Sequence, residues 1–294
     1  MGDMERLSIL SIRGWLGPWA AGAMFLAQLS VAMDPGLAFA QDEDDEAKRD
    51  FDRPAVSSAY AATLDRLIRA PFADLWALSP GGEDESRLRV VCFRSPQSES
   101  AVGAAQRMVL PVSIGRVREV LGRFDEYERI FRGYKHIRMI ERRGPRWLSY
   151  WEQRIPIPLV SNVKYRMLYE VGPDGASPLF YRYRMSWSNT LKYSDGLIRI
   201  EADPKNKERT RYLELDFWDA NLGIAGVIAP AKVVQESVEG IYQSDLAIRL
   251  RAENPDWPAE RVLSESVKRI PDSDVERCVR ERTDFKAPVA VSGF

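Results

Sequence analysis

Three features of this 294-residue sequence predict an α+β fold, in which a curved antiparallel sheet with one apolar face meets one long C-terminal helix. Residues 146–219 alternate aromatic or apolar side chains with charged ones over at least four segments, the period-two signature of strands buried on one face. Within that stretch Ile155, Pro156, Ile157, Pro158 and Leu159 interrupt the alternation with a proline-containing turn. Residues 230–252 then place Val233, Val234, Val238, Ile241, Leu246 and Ile248 at near-helical spacing, after a proline and before Asn254 and Pro255.

From the N-terminus, Arg6 and Arg13 precede an apolar run over 18–33, and Ala38, Phe39 and Ala40 offer the small residues that a signal peptidase reads. Residues 1–40 are therefore expected to be a secretory signal cleaved near Ala40. The alternative is an uncleaved membrane anchor, for which the run falls short of the roughly 20 apolar residues of a span. The chain has 42 Lys plus Arg and 43 Asp plus Glu; losing two basic and three acidic residues leaves 40 of each. A neutral chain without a basic block has no electrostatic footprint for nucleic acid.

An acidic run over 42–46 opens a leader and N-terminal extension, 41–103. Within it the sequence predicts a helix over 57–78, stopped by Pro80, Gly81 and Gly82, a strand over 88–94 and a loop over 96–103. Met108, Leu110 and Val112 alternate as a strand. Ser113 is a candidate N-cap for a helix carrying Ile114, Val117, Val120, Leu121 and Phe124. A short helix over 125–131 leads to strands predicted over 134–141, 147–155, 162–171, 179–188, 197–202 and 211–219. In the clearest hairpin, Tyr165, Met167 and Tyr169, then Tyr181, Tyr183, Met185 and Trp187, share one face. Lys164, Arg166, Arg182 and Arg184 share a second face, expected to be solvated and basic. Beyond the long helix, residues 255–294 read as an extension with a helix over 258–268. Cys92 and Cys278 flank the strand-rich region and either pair or remain two buried thiols.

The order of strand, small helices, meander and long helix resembles the helix-grip fold of the polyketide cyclase/START (SRPBCC) superfamily. Residues 150–165, with their proline turn between two strands, resemble the corresponding segment of START-type lipid-transfer domains. Ser161 and Asn162 stand where those domains commonly carry an Arg-Asp pair. The resemblance covers about residues 104–254 and implies a cavity between sheet and long helix that takes a lipid, a sterol or another apolar small molecule, with transient membrane contact in a transfer protein. Tyr165, Met167, Tyr169, Tyr181, Tyr183, Met185, Trp187, Leu213, Leu215 and Phe217 share strand faces of one parity and are the expected ligand-binding residues. From residues alone, such a face either lines a cavity or packs under a helix. Ile155, Pro156, Pro158, Gly223 and Gly226 are the expected gate.

Chemistry has few candidates. His136 is the single histidine, the two cysteines lie far apart, and neither a phosphate-binding glycine loop nor a nucleophile elbow occurs, so no metal or cofactor is expected. Glu152, Glu170, Glu214 and Asp216 are predicted outward beside Lys and Arg; Asp219 either points to the cavity mouth or ends its strand. The expected function is carriage of a hydrophobic small molecule in a periplasm-like space. The alternatives are a cyclase-type enzyme using tyrosines or Asp219, and an envelope protein-interaction module with a solid interior.

Overall fold

The structure is a computed structural model that describes residues 51, 55–56, 58–79, 84–94, 101–154, 162–173, 179–220 and 230–287. Residues 42–294 form one compact unit, and residues 1–41, which contain the expected signal segment, lie outside the described residues. The expected gate residues Ile155, Pro156, Pro158, Gly223 and Gly226 also lie outside the described residues.

The described strands are β1 (Arg89–Arg94), β2 (Ala101–Leu110), β3 (Tyr134–Arg143), β4 (Arg146–Gln153), β5 (Val163–Val171), β6 (Leu179–Ser188), β7 (Leu191–Asp203), β8 (Asn206–Ala220) and β9 (Thr283–Asp284). They form one open sheet in the order β3-β4-β5-β6-β7-β8-β2-β1-β9, antiparallel except for the short parallel β1–β9 pair. The helices are α1 (Ala61–Leu67), α2 (Phe72–Trp76), α3 (Ile114–Leu121), α4 (Phe124–Ile130), α5 (Pro230–Glu253), α6 (Ala259–Lys268) and α7 (Asp272–Arg280). Among the described residues no helix is long and apolar enough to cross a membrane.

The helix expected over 57–78 is two helices, because Pro71 has no N–H to continue the first and instead begins the second. Of the loop expected over 96–103, residues 101–103 instead pair with residues 217–219 as part of β2, and 96–100 lie outside the described residues. The C-terminal tail holds α7 and β9, beyond the helix that spacing predicts over 258–268.

The sheet is covered on both faces. On the inner face, α3, α4 and α5 close the larger core, where Val117, Tyr127, Val238, Tyr242 and Ile248 pack against Met108, Met167 and Ile200. On the outer face, α1 and α2 cover β7, β8 and β2 through Leu64, Leu67, Phe72 and Leu75. Arg182, expected on a solvated face, is instead 1% exposed beneath α1. Its Nε donates to Asp65 at 2.9 Å and its Nη2 to Asp195 at 2.9 Å, while its Nη1 donates to the Tyr183 and Gly196 carbonyls at 2.6 and 3.0 Å. Arg199 donates to the Leu67 and Ala70 carbonyls at 2.9 and 2.6 Å, satisfying groups that the end of α1 leaves open. These two arginines fasten the N-terminal extension to the sheet.

The C-terminal extension is fastened on the opposite side. A disulfide joins Cys92 on β1 to Cys278 on α7, with Cα atoms 5.2 Å apart, and an Arg87–Asp274 ion pair of 2.7 Å lies on the same seam. Gln243 of α5 donates to the Ile130 carbonyl at 2.7 Å and to Ser266 at 2.8 Å, locking α4 and α6 onto the long helix.

Candidate functional site

A cavity of about 150 Å³ lies between the inner sheet face and the helices. Its helical wall is built by Leu121 of α3, Phe124 and Tyr127 of α4, and Ser244 and Ile248 of α5; Phe131, just beyond α4, joins them. The sheet wall contains Tyr134, Trp151, Tyr165, Met167, Tyr169, Tyr181 and Tyr183, then Ser194, Ile198, Glu214 and Asp216.

The aromatic side chains hold one another in place. Trp151 and Tyr165 lie parallel at 6.0 Å, Phe124 meets Tyr169 edge-on at 5.2 Å, and the Tyr134 and Tyr165 hydroxyls are 3.2 Å apart. Tyr183 can lie across its neighbour strand because residue 196 is glycine; a Cβ there would overlap the tyrosine ring.

Of the expected ligand-binding residues, Tyr165, Met167, Tyr169, Tyr181 and Tyr183 line this cavity. Met185 is buried in the same core away from the cavity wall. Trp187 falls on the outer face: Arg166 pairs with Trp187 but Met167 pairs with Met185, so a bulge at Ser186 shifts the alternation by one. The Arg166 guanidinium lies 5.0 Å from the Trp187 ring.

Leu213, Leu215 and Phe217 also lie on the outer face, packed with Leu64 and Leu75 beneath the N-terminal helices. Their inward neighbours on β8 are Glu214 and Asp216, the residues expected to be solvated. Register shows why: Tyr183 pairs with Gly196, and Gly196 with Asp216, so Asp216 shares the cavity face. On β2, Gln106 pairs with Glu214 and points the same way. A strand covered on both faces does not reveal its inner side by hydrophobicity, and here the apolar residues went under the extension. The pairing of Gly196 with an aromatic neighbour was the signal available for the correct register. Asp219 has the same outer parity and lies 3.3 Å from Lys192 in an ion pair. His136 is exposed, 3.9 Å from Glu128.

One end of the cavity is an acid cluster. Tyr183 donates to Glu214 Oε1 at 2.7 Å, and Tyr212 lies 2.6 Å from Glu214 Oε2 and 3.1 Å from Asp245 Oδ1. The Gln106 amide, with its nitrogen turned toward the acids, donates to Asp245 and Glu214 at 3.3 Å each. Asp245 projects from α5 and is fully buried, and Asp216 Oδ1 is buried without a hydrogen-bond partner among the described residues. Burial, reinforced by the Glu214 charge, holds the Asp216 and Asp245 carboxyls well above the usual carboxylate range. Burial likewise raises the hydroxyls of Tyr165, Tyr169, Tyr183 and Tyr212, which stay protonated. No cluster able to hold a metal ion occurs among the described residues.

These shifts set a pH dependence. The unfolded chain releases its carboxyl protons in the ordinary acid range, whereas folded Asp216 and Asp245 keep theirs to higher pH. Between the two, the folded state binds more protons, so stability falls as pH rises, by about 1.4 kcal/mol per pH unit for each such group. Urea unfolding between pH 5 and 8 is expected to show this decline, and Asp216→Asn with Asp245→Asn to flatten it. An unchanged slope in the double variant would mean that neither carboxyl holds its proton.

No protein-family model matches the sequence, and no curated protein matches it. Among solved structures, the chain is similar to the STAR-related lipid transfer protein of Xanthomonas axonopodis at 13% identity, covering 59% of this chain and 97% of that one, with a TM-score of 0.49. It is similar to human STARD10 at 13% identity, covering 74% of this chain and 93% of that one, with a TM-score of 0.43. It is similar also to the Streptomyces aromatase/cyclase Zhui at 15% identity, covering 59% and 98%, with a TM-score of 0.36. The protein's own elements, a large open antiparallel sheet with a long C-terminal helix and shorter helices laid over it, make an α+β fold.

Proposed function

We infer that the protein binds a hydrophobic small molecule between the inner sheet face and α5. The observation that carries this reading is the cavity itself: a space of about 150 Å³, walled by aromatic rings and Met167, with a few polar groups converging at one end. A cavity near that size holds a one-ring molecule. A lipid or sterol-like cargo needs several hundred Å³, so carriage of such a molecule requires the helical wall to move off the sheet.

The test is to purify the chain from residue 41 out of an oxidising compartment and analyse its organic extract by mass spectrometry, beside binding of an apolar panel. Met167→Trp, which fills the cavity, is expected to lose the copurified molecule or weaken binding by about tenfold or more. An empty extract together with no binding of any panel member would favour the interaction module. One observation favours the enzymatic alternative: Asp216 keeps its proton and faces the cavity, as a general acid would. Turnover of the bound molecule that ends in Asp216→Asn, with binding intact, would establish it.

The protein is further read as exported. The apolar run over 18–33 before Ala38 and Ala40 supports a cleaved signal, and the Cys92–Cys278 disulfide fits an oxidising compartment. N-terminal sequencing of the protein from a fractionated Gram-negative host is expected to find Gln41 first, in the periplasm. A full-length N-terminus in the membrane fraction would instead identify an anchor.

A further inference from the structure

The cavity carries two carboxyls, Glu214 and Asp216, and several of the donors around them are already engaged. Tyr183 donates to Glu214 at 2.7 Å, Tyr127 to the Leu121 carbonyl at 3.0 Å, Trp151 to Ser149 at 2.7 Å, and Ser244 to the Ile241 carbonyl at 3.0 Å. Asp216 Oδ1 has no partner among the described residues, and no Lys, Arg or His among them lines the wall. An anionic head group brought here would meet the Glu214 charge with no basic side chain in the wall among the described residues to neutralise it. A donor-bearing cation would meet two carboxyls and, beside them, the rings of Tyr183 and Tyr169, whose centroids are 5.6 Å apart.

We propose that the cavity selects a compact aralkylamine, its ammonium donating to Asp216 and Glu214 beside the Tyr183 and Tyr169 rings and its single aromatic ring filling the apolar space. The inference rests on reading the cavity as a ligand site, and adds the ligand's charge and size. Glu214 is braced by Tyr183, Tyr212 and Gln106 and so is held in place to meet the cation. Asp216 is the acceptor left over.

Binding is linked to a proton. On the cavity face the groups around Asp216 are Glu214 on its own strand, Tyr183 on β6, Tyr134 on β3, Tyr165 and Tyr169 on β5, and Asp245 on α5, while Asp195 of β7 lies on the outer face paired with Arg182. Those on the cavity face are all acids or phenols, so the bound ammonium is the compensating positive charge. It favours the ionised form of Asp216, which gives up its proton as the amine enters. Affinity therefore rises with pH until the amine itself loses its charge.

The test uses three probes of closely similar size: 2-phenylethylamine, phenylacetate and ethylbenzene. Titration calorimetry on the mature chain at pH 7 is expected to show the amine binding at least about tenfold tighter than the carboxylate. Repeating the titration in buffers of different ionisation enthalpy is expected to show release of about one proton. In Asp216→Asn the preference for the amine is expected to fall about tenfold, with an unaltered near-ultraviolet circular dichroism spectrum as evidence that the aromatic wall is intact. Ethylbenzene binding with the carboxylate equal to or tighter than the amine overturns this inference and leaves the cavity reading standing. No binding of any probe, with an empty organic extract, overturns both. The selectivity ratio of the unmodified chain decides the matter even if the variant fails to fold.

Discussion

Replacing Asp195 by Ala is expected to lower the free energy of unfolding by about 3–5 kcal/mol, among the largest effects of any single substitution in this chain. Arg182 is 1% exposed and Asp195 0% exposed, so removing the carboxylate strands a guanidinium where water cannot replace it. Asp195 also accepts the Ser58 N–H at 3.2 Å, at the entry to α1, so that amide loses its partner too. Asp65 remains 2.9 Å from Arg182 but is half-exposed and already shared with Arg184 at 2.7 Å. The effect reaches the cavity through the backbone. Arg182 Nη1 holds the Tyr183 and Gly196 carbonyls, and these residues form the strand pair on which the Tyr183 ring lies toward Glu214. Urea unfolding measures the loss, and a loss below about 1 kcal/mol would show that the buried pair is not the clamp. The double variant Arg182→Met, Asp195→Leu is expected to recover much of the stability, because desolvating two charges offsets most of what their attraction contributes.

The same clamp marks the limit of what the sequence disclosed. The meander and the long helix were legible because period-two and near-helical spacing leave a direct imprint on which residues are apolar: β6 was bounded as observed, Leu179–Ser188, and α5 to within one residue at its end. Tyr165, Met167, Tyr169, Tyr181 and Tyr183 were placed on one face for the same reason. That logic failed where a second layer covers the sheet. On β8 other elements cover both faces, so alternation points Leu213, Leu215 and Phe217 inward when their partners are α1 and α2. Glu214 and Asp216 were assigned to water when they close one end of the cavity. Trp187 failed differently, through one extra residue in β6 that no alternation count registers. In each case the deciding fact was a long-range pairing: α1 against the outer sheet, or Gly196 between Tyr183 and Asp216. Such pairings depend on register, and a single strand's sequence does not carry its neighbour's register.

Reducing the Cys92–Cys278 disulfide is expected to lower the melting temperature by roughly 5–15 °C. The bridge closes a loop with a sequence separation of 186 residues, and the chain-entropy limit for a loop of that length is about 5 kcal/mol. The native contacts that survive reduction bound the loss from the other side. The Arg87–Asp274 ion pair still joins the ends of the seam, and Val275 still packs in the main core. Without the bridge, α7 and the two-residue β9 are held by those contacts, the short β1–β9 pairing and the Phe285 ring against Phe93 and Phe217, so they are expected to exchange amide hydrogens first. The cavity wall contains neither cysteine, so ligand affinity should persist in the reduced protein at temperatures below its melting point. Calorimetry with and without dithiothreitol measures the shift, and a Cys92→Ala, Cys278→Ala variant should melt at the reduced value whether or not the reductant is present. Equal melting temperatures for oxidised and reduced protein would show that packing of α7 alone secures the C-terminal extension. Loss of ligand affinity on reduction would show that the cavity depends on that extension, which its lining residues do not indicate.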